Sequence, residues 1–180
     1  ECRSDKLTSA LRALAQFHVG VADFPPPCHA GVPPAALQRL DLLEQAQESR
    51  PALEKALANC RHIGDFPEIA HDILDGFCRV SPAIQDDLQR AASIQSPLQP
   101  VIRDVHADHV LFDDAEVTGI IDYGAMRIDS VAVDISRLLG SMVEDDPSLW
   151  ELGLRNYEIV ARLSFLQRDL VGIFDRSTVA

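Results

Sequence analysis

Apolar positions recur at three-to-four spacing along most of the chain. After Ser4, a suitable cap, Leu7, Leu11, Leu14, His18 and Val21 form one stripe and predict a helix. His18 lies on that stripe, which predicts a buried, hydrogen-bonded core histidine rather than a catalytic one. Pro25, Pro26 and Pro27, then Pro33 and Pro34, predict a loop around Cys28 and His29, with Pro34 in the first turn of the next helix. "AALQRLDLLEQAQES" and "PALEKALANCRHI" predict two helices, broken at Ser49 and Pro51. Residues 66–95 carry Ile69, Ile73, Phe77, Ile84 and Leu88 and predict two more, interrupted near Ser81–Pro82.

The pattern changes at Pro97. "LQPVIRD" is short, β-branched and flanked by proline, and predicts a strand. "HVLFD" and "VTGIID" predict two strands joined by a four-residue hairpin loop, Asp113 to Glu116. A loop, "YGAMRID", leads to a helix starting near Ser130. Pro147 and Ser148 open a long amphipathic helix over about 148–174. The expected fold class is mainly α with a small β element (α+β). One domain is expected over 1–180, with a helical region at about 5–96 and a β-containing segment at about 98–141. No internal repeat or low-complexity tract is present.

Charge narrows the partners. The chain has 28 acidic against 16 basic residues, a formal net charge of −12, with 47% hydrophobic and 24% charged residues. That balance argues against nucleic acid and anionic membrane as partners, because phosphate binding needs clustered Lys and Arg. Cationic small molecules are compatible, as is plain solubility. Cysteines at 2, 28, 60 and 78 show no CxxC pairing, so a zinc ribbon or dense disulfide framework is not expected and a reducing cytoplasm fits. No apolar run reaches the roughly 18 residues of a membrane span, and the charged start "ECRSDKLTSAL" is not expected to act as a signal peptide.

Candidate chemistry gathers in "VIRDVHADHVLFDD", residues 101–114, where carboxylates and two imidazoles sit between strand-like runs. "DVHADH" comes within one residue of HxHxDH, the zinc motif of the metallo-β-lactamase family, in which bound metal activates water. Asp104 stands where the first His should be, and residues 1–96 offer helices where that fold needs strands. Gly119 and Gly124 have the spacing of a phosphate-cradling loop, but Ala125 and Met126 replace its Lys and Ser/Thr. GxGxxG and GxSxG are absent.

A third reading uses more of the chain. "VIRDVHADHVLFDDAEVTGIIDYGAMRIDSVAVDISRLLG" resembles the catalytic segment of the aminoglycoside phosphotransferase and choline kinase family, small-molecule kinases with a protein-kinase-like fold. That family's pattern runs HGDxHxxNxL, a short hairpin, IDW or IDF, then a DLA helix start. Upstream, "LRALAQFH" is similar to the LAxLH helix opening the family's C-terminal lobe, so the resemblance spans about Leu7 to Gly140. It implies Asp104 as catalytic residue, Asp122 of "IIDYG" as metal ligand, and His109 at the second metal position. His106, Arg103 and Asp134 would support the loop. It further implies ATP and Mg²⁺ as cofactors and a hydroxyl acceptor such as an aminoglycoside, choline or sugar. Phosphoryl transfer is mostly positioning and charge stabilisation, so few residues suffice. A hairpin between Asp104 and Asp122 sets their separation rigidly. Asp113, Asp114 and Glu116 are expected as a solvated hairpin tip.

Two departures stand against the pattern. Ile102 and Arg103 replace His-Gly, giving "IRD", closer to the HRD of protein kinases. His109 replaces an Asn, and an imidazole is a poor ligand for Mg²⁺, so phosphate contact, a softer ion such as Mn²⁺, or a weak site is implied. Kinases of this type also carry an N-terminal β lobe with a nucleotide-pairing Lys. The only lysines here, Lys6 and Lys55, fall in helical segments. The resemblance therefore covers the C-terminal lobe alone and implies that this segment by itself is inactive. A non-catalytic kinase-like binding or scaffold module is the alternative, and a metal-dependent hydrolase the remote one. Asp65, Glu68, Asp72 and Asp75 form an acidic helical region, either a solvated face or a meeting point for an amine-bearing substrate.

Overall fold

A computed structural model describes residues 2–24, 29–59 and 65–178. Pro25–Pro27 with Cys28, and Cys60, lie outside the described residues. The chain runs α1 (Cys2–Val21), β1 (His29–Gly31), α2 (Pro34–Ala58), α3 (Phe66–Ala91) and β2 (Ser96–Val101). A 3₁₀ turn (Ala107–His109) then precedes β3 (Val110–Asp113), β4 (Glu116–Ile120) and β5 (Arg127–Asp129). The helices α4 (Ala132–Val143), α5 (Pro147–Glu158) and α6 (Phe165–Arg176) complete the order. The fold is mainly helical with small antiparallel sheets. No described helix is long and apolar enough to cross a membrane.

The stripe Leu7, Leu11 and Leu14 is fully buried, and His18 with it. It packs against α4 and α5, where Tyr157, Leu138 and Leu139 join the same cluster. Gly153 makes this approach possible: a Cβ there would stand 2.4 Å from Leu139 Cδ2. Helix α4 has the most enclosed environment, with Ala132, Val133, Asp134, Ile135, Ser136, Leu138, Leu139 and Val143 all buried. A charged residue in that set, Asp134, must find partners inside the protein.

Several elements differ from the sequence expectation. Pro51 does not break the second helix, and Pro82 does not break the third: α2 and α3 each run through their proline. Their antiparallel packing, with Gln47 Nε2 donating to Gln85 Oε1, outweighs the hydrogen bond each proline removes. Beside Pro82, the Ser81 hydroxyl donates to the Phe77 carbonyl at 2.5 Å. The expected helix over 148–174 is two helices. The first ends at Glu158, and Ser164 opens the second, accepting from Gln167 N at 3.2 Å while Gln167 Oε1 accepts from Ser164 N at 3.0 Å, a reciprocal cap that starts α6. Helix α5 does begin at Pro147, with Asp146 Oδ1 accepting from Ser148 N and Leu149 N. The apolar stripe of α3 is only half core: Ile84 and Leu88 are buried, whereas Phe66, Ile69 and Ile73 are exposed because α3 extends beyond the cluster. Asp65, Glu68, Asp72 and Asp75 are exposed on the same stretch.

The strands position the site. In one sheet, β2 lies between β1 and β5, both antiparallel, with Leu98 opposite His29 and Val101 opposite Arg127. Asp129, at the end of β5, is fully buried and accepts from Ala35 N at 2.9 Å, supplying a first-turn donor of α2 with a partner that Pro33 cannot offer. Strands β3 and β4 form a hairpin, paired Asp113 to Glu116 and Val110 to Ile120, with an extra residue at Thr118. The tip is Asp114 and Ala115, tighter than the expected four-residue loop, and Asp114 takes φ 50° to close it. Ser9 Oγ on α1 accepts from Val117 N at 3.0 Å, and Lys6 lies over the Phe112 ring, fixing the hairpin to α1.

Candidate active site

The loop after β2 is held from below by one carboxylate. Asp134 Oδ2 accepts from Ile102 N at 2.7 Å and Oδ1 from Arg103 N at 2.6 Å. Two successive amides face one carboxylate with Arg103 in the left-handed region, φ 68°. Such a conformation is uncommon for a residue with a Cβ and is held by these bonds. Asp134 Oδ2 also lies 3.0 Å from His18 Nε2, and His18 Nδ1 lies 2.8 Å from the Tyr157 hydroxyl. A carboxylate can only accept, so Nε2 carries the proton and Nδ1 accepts from Tyr157. Burial first, then the Asp134 charge, pushes the Tyr157 phenol up, keeping it a donor. The Arg103 side chain leaves the loop sideways, donating to Gln38 Oε1 at 2.7 Å and lying 3.9 Å from Asp129.

Above this support, Asp104 is half-exposed. Its Oδ1 accepts from Arg137 Nη2 at 2.8 Å, from one helical turn beyond Asp134 on α4. The Asp104 carbonyl oxygen lies 2.8 Å from His109 Nδ1. Across the hairpin base, Ile121 N donates to His109 O at 3.0 Å, which sets His109 beside Asp122. His109 Nε2 and Asp122 Oδ2 are 3.8 Å apart. Asp122 is exposed, with φ 63° and Oδ1 accepting from Gly124 N at 3.4 Å. One imidazole therefore spans from the Asp104 backbone to the Asp122 carboxylate. The His106 ring lies against that ring, centroids 3.8 Å apart and tilted by 39°, and the His106 carbonyl accepts from His109 N at 2.9 Å. Asp113, Asp114 and Glu116 are exposed.

Arg137, the partner of Asp104, lines a cavity of about 520 Å³ together with His106, Ser141, Glu144, Asp145 and Asp175 among others. Ser141 Oγ accepts from Ala107 N at 2.9 Å, so the cavity wall and the loop share a residue. Burial, then the charge of Asp145, holds the Asp175 carboxyl above the usual carboxylate range. The folded state therefore binds this proton more tightly than the unfolded one. Above the raised value the charge is a penalty, and stability climbs as pH falls through that value towards 3.8. Asp175→Asn is expected to raise the thermal midpoint at pH 7, with the gain shrinking towards pH 4. Calorimetry at the two pH values measures it, and equal effects at both would contradict it.

Behind the cavity wall, burial first and then the Arg103 charge lower the Arg39 guanidinium to about 10. It remains charged at neutral pH and donates to the Phe174 carbonyl and to Ser177 Oγ. Arg137, Glu144, Asp145 and Asp175 were not singled out by sequence. Arg137 carried one usable signal, its three-residue spacing from Asp134, which puts both on one helical face.

The family is decided by the sequence match. A model of the phosphotransferase enzyme family matches residues 3–166. The chain belongs to that family. This establishes the aminoglycoside phosphotransferase and choline kinase relationship and a kinase-like fold for the helices and hairpin described above. Among curated proteins nothing matches the chain. Membership of a phosphotransferase family, together with the helical scaffold, sets aside the zinc-hydrolase reading of "DVHADH".

Proposed function

We propose that this family member carries phosphoryl transfer from ATP to a hydroxyl of a small amine-bearing acceptor, with Asp104 as the catalytic residue. The observation carrying this is half-exposed Asp104 bonded to Arg137, which itself lines a cavity shared with Glu144, Asp145 and Asp175. Asp104 would orient the acceptor hydroxyl and receive its proton as the new P–O bond forms. Asp134 holds the backbone just before Asp104, so the carboxylate is presented by a fixed loop. An ammonium group on the acceptor would sit against Asp145 and Asp175, relieving the repulsion between them.

A divalent ion supplies charge neutralisation on the phosphates in such transfers. Asp122 offers the hard oxygen that Mg²⁺ favours, but the His109 nitrogen beside it does not fit Mg²⁺. Lys6 lies in α1 and Lys55 in α2, so neither is on a strand positioned to pair with a nucleotide. On this reading the described helices and hairpin form the acceptor side of the site, and they transfer nothing without a nucleotide-holding partner structure. A cytoplasmic location goes with ATP as donor. A second reading, a kinase-like lobe used only for binding, is favoured by one observation: Arg137 already occupies Asp104.

The test is an acceptor screen with the natural gene product containing this chain. Consumption of ATP should depend on a hydroxylated amine, with KM about tenfold or more higher when the amine is replaced by a neutral group (about 1.4 kcal/mol for tenfold). ATP turnover indifferent to every acceptor would contradict the proposal.

A further inference from the structure

A second cavity, of about 220 Å³, lies between α2, α3 and the end of α6. It shares no lining residue with the acidic cavity beside Arg137. Its walls are hydrocarbon, with Leu43 from α2 and Phe77, Ile84 and Leu88 from α3. Leu43, Ile84 and Leu88 belong to the buried core, whereas Leu42 is exposed and leaves the cavity open to solvent along α2.

One charge enters this apolar space. Arg39 is mostly buried, and its guanidinium lies 5.0 Å from the centroid of the Phe174 ring. Its Nη1 donates to the Phe174 carbonyl and to Ser177 Oγ, and both acceptors are neutral. Among the described residues no carboxylate forms an ion pair with Arg39. Asp129 faces Arg103 instead, at 3.9 Å, and with Asp175 acts on Arg39 only from farther away. Arg103 and Arg137 are near enough to add to the local positive charge. Burying a cation without a counter-ion is costly, so such a group is normally paired. A guanidinium carries five N–H donors in a fork that matches a carboxylate. Here Nε and Nη2 are not engaged by any described residue.

Size limits the occupant. An apolar cavity of about 150 Å³ holds benzene, so 220 Å³ accommodates one ring bearing a carboxylate but no long acyl chain. A chain of net charge −12 repels anions at long range, so capture of one reports a local cationic site.

We propose that this cavity binds a small hydrophobic carboxylate, its apolar body against Leu43, Ile84 and Leu88 and its two oxygens on Arg39 Nε and Nη2. Neither Asp104 nor a nucleotide takes part, so the site is independent of the transfer reaction.

Methyl-resolved NMR titration tests this without any turnover, with benzoate as the probe and benzyl alcohol as a neutral ligand of the same ring. Benzoate should give saturable shifts at the methyls of Leu42, Leu43, Ile84 and Leu88. Benzyl alcohol should bind at least about tenfold more weakly, because it forfeits the charge-assisted pair. Arg39→Met keeps the length without the charge and should weaken benzoate by the same factor while sparing benzyl alcohol. Ala46→Leu fills the cavity from α2 and should weaken both ligands, which keeps the test decisive if Arg39→Met does not fold. Benzyl alcohol binding as tightly as benzoate would overturn the inference by showing an apolar gap without anion recognition. So would benzoate shifts that never saturate, or that centre on Arg103 and Arg137 and spare the four methyl-bearing residues.

Discussion

Replacing Asp104 by Asn is expected to lower kcat for phosphoryl transfer by about 10²- to 10⁴-fold, the range typical of losing a positioned acid–base group. The fold should not notice. The side-chain bond of Asp104 is to Arg137, both residues are partly exposed, and pairs of that kind contribute about 0–1 kcal/mol. The thermal midpoint should therefore stay within a few degrees of the parent while activity collapses. Parent-like kcat in Asp104→Asn would remove Asp104 from the chemistry. A large stability loss would instead mean that the Arg137 pair is structural.

The opposite signature is expected one layer below. Asp134→Ala removes the acceptor for Ile102 N, Arg103 N and His18 Nε2 in a fully buried site. Breaking a buried hydrogen-bonded ionic network costs about 3–5 kcal/mol, and each orphaned buried donor contributes about 1–3 kcal/mol of that order. For a chain of this size, about 2–4 °C is lost per kcal/mol, so the thermal midpoint should fall by about 10 °C. Differential scanning calorimetry measures it, and a shift under about 3 °C would show that water or rearranged side chains replace Asp134. Asp134→Asn should be intermediate, because an amide retains one acceptor oxygen but places an N–H against a backbone donor.

Much of the scaffold was legible because it rests on periodicity. The Leu7, Leu11, Leu14 and His18 stripe is the buried face of α1, and the alternation around Val110 and Val117 is the hairpin. Breaker residues misled where tertiary packing overrode them. Pro51 and Pro82 sit inside long helices that pack against each other, and the cost of a proline is local whereas the packing is collective. The break before α6 was hidden for the converse reason, since Ser164 lies in an apolar stretch and acts only through its reciprocal bond with Gln167. The exposed Ile69 and Ile73 show a related limit, because periodicity identifies a face without saying how far the core extends along it.

For the site, local sequence supplied the loop and the hairpin, which fix Asp104, His109 and Asp122 relative to one another. Contacts between distant segments were not readable. Arg137 reaches Asp104 only because α4 passes beneath the loop, and Asp145 meets Asp175 only because α6 folds back beside α4. The tautomer of His109 also needed the structure. Sequence places an imidazole near a carboxylate, but only the Asp104 carbonyl determines which nitrogen is left bare.

Transfer of a phosphoryl group to an acceptor hydroxyl at Asp104 is read by phosphorus-31 NMR of the natural gene product, incubated with ATP, divalent metal and a hydroxylated amine. One new phosphomonoester resonance, split by the acceptor's carbon-bound protons, is expected to grow as ADP appears and to be absent with Asp104→Asn. ADP accompanied only by inorganic phosphate, or an ester that forms equally well in Asp104→Asn, would contradict it.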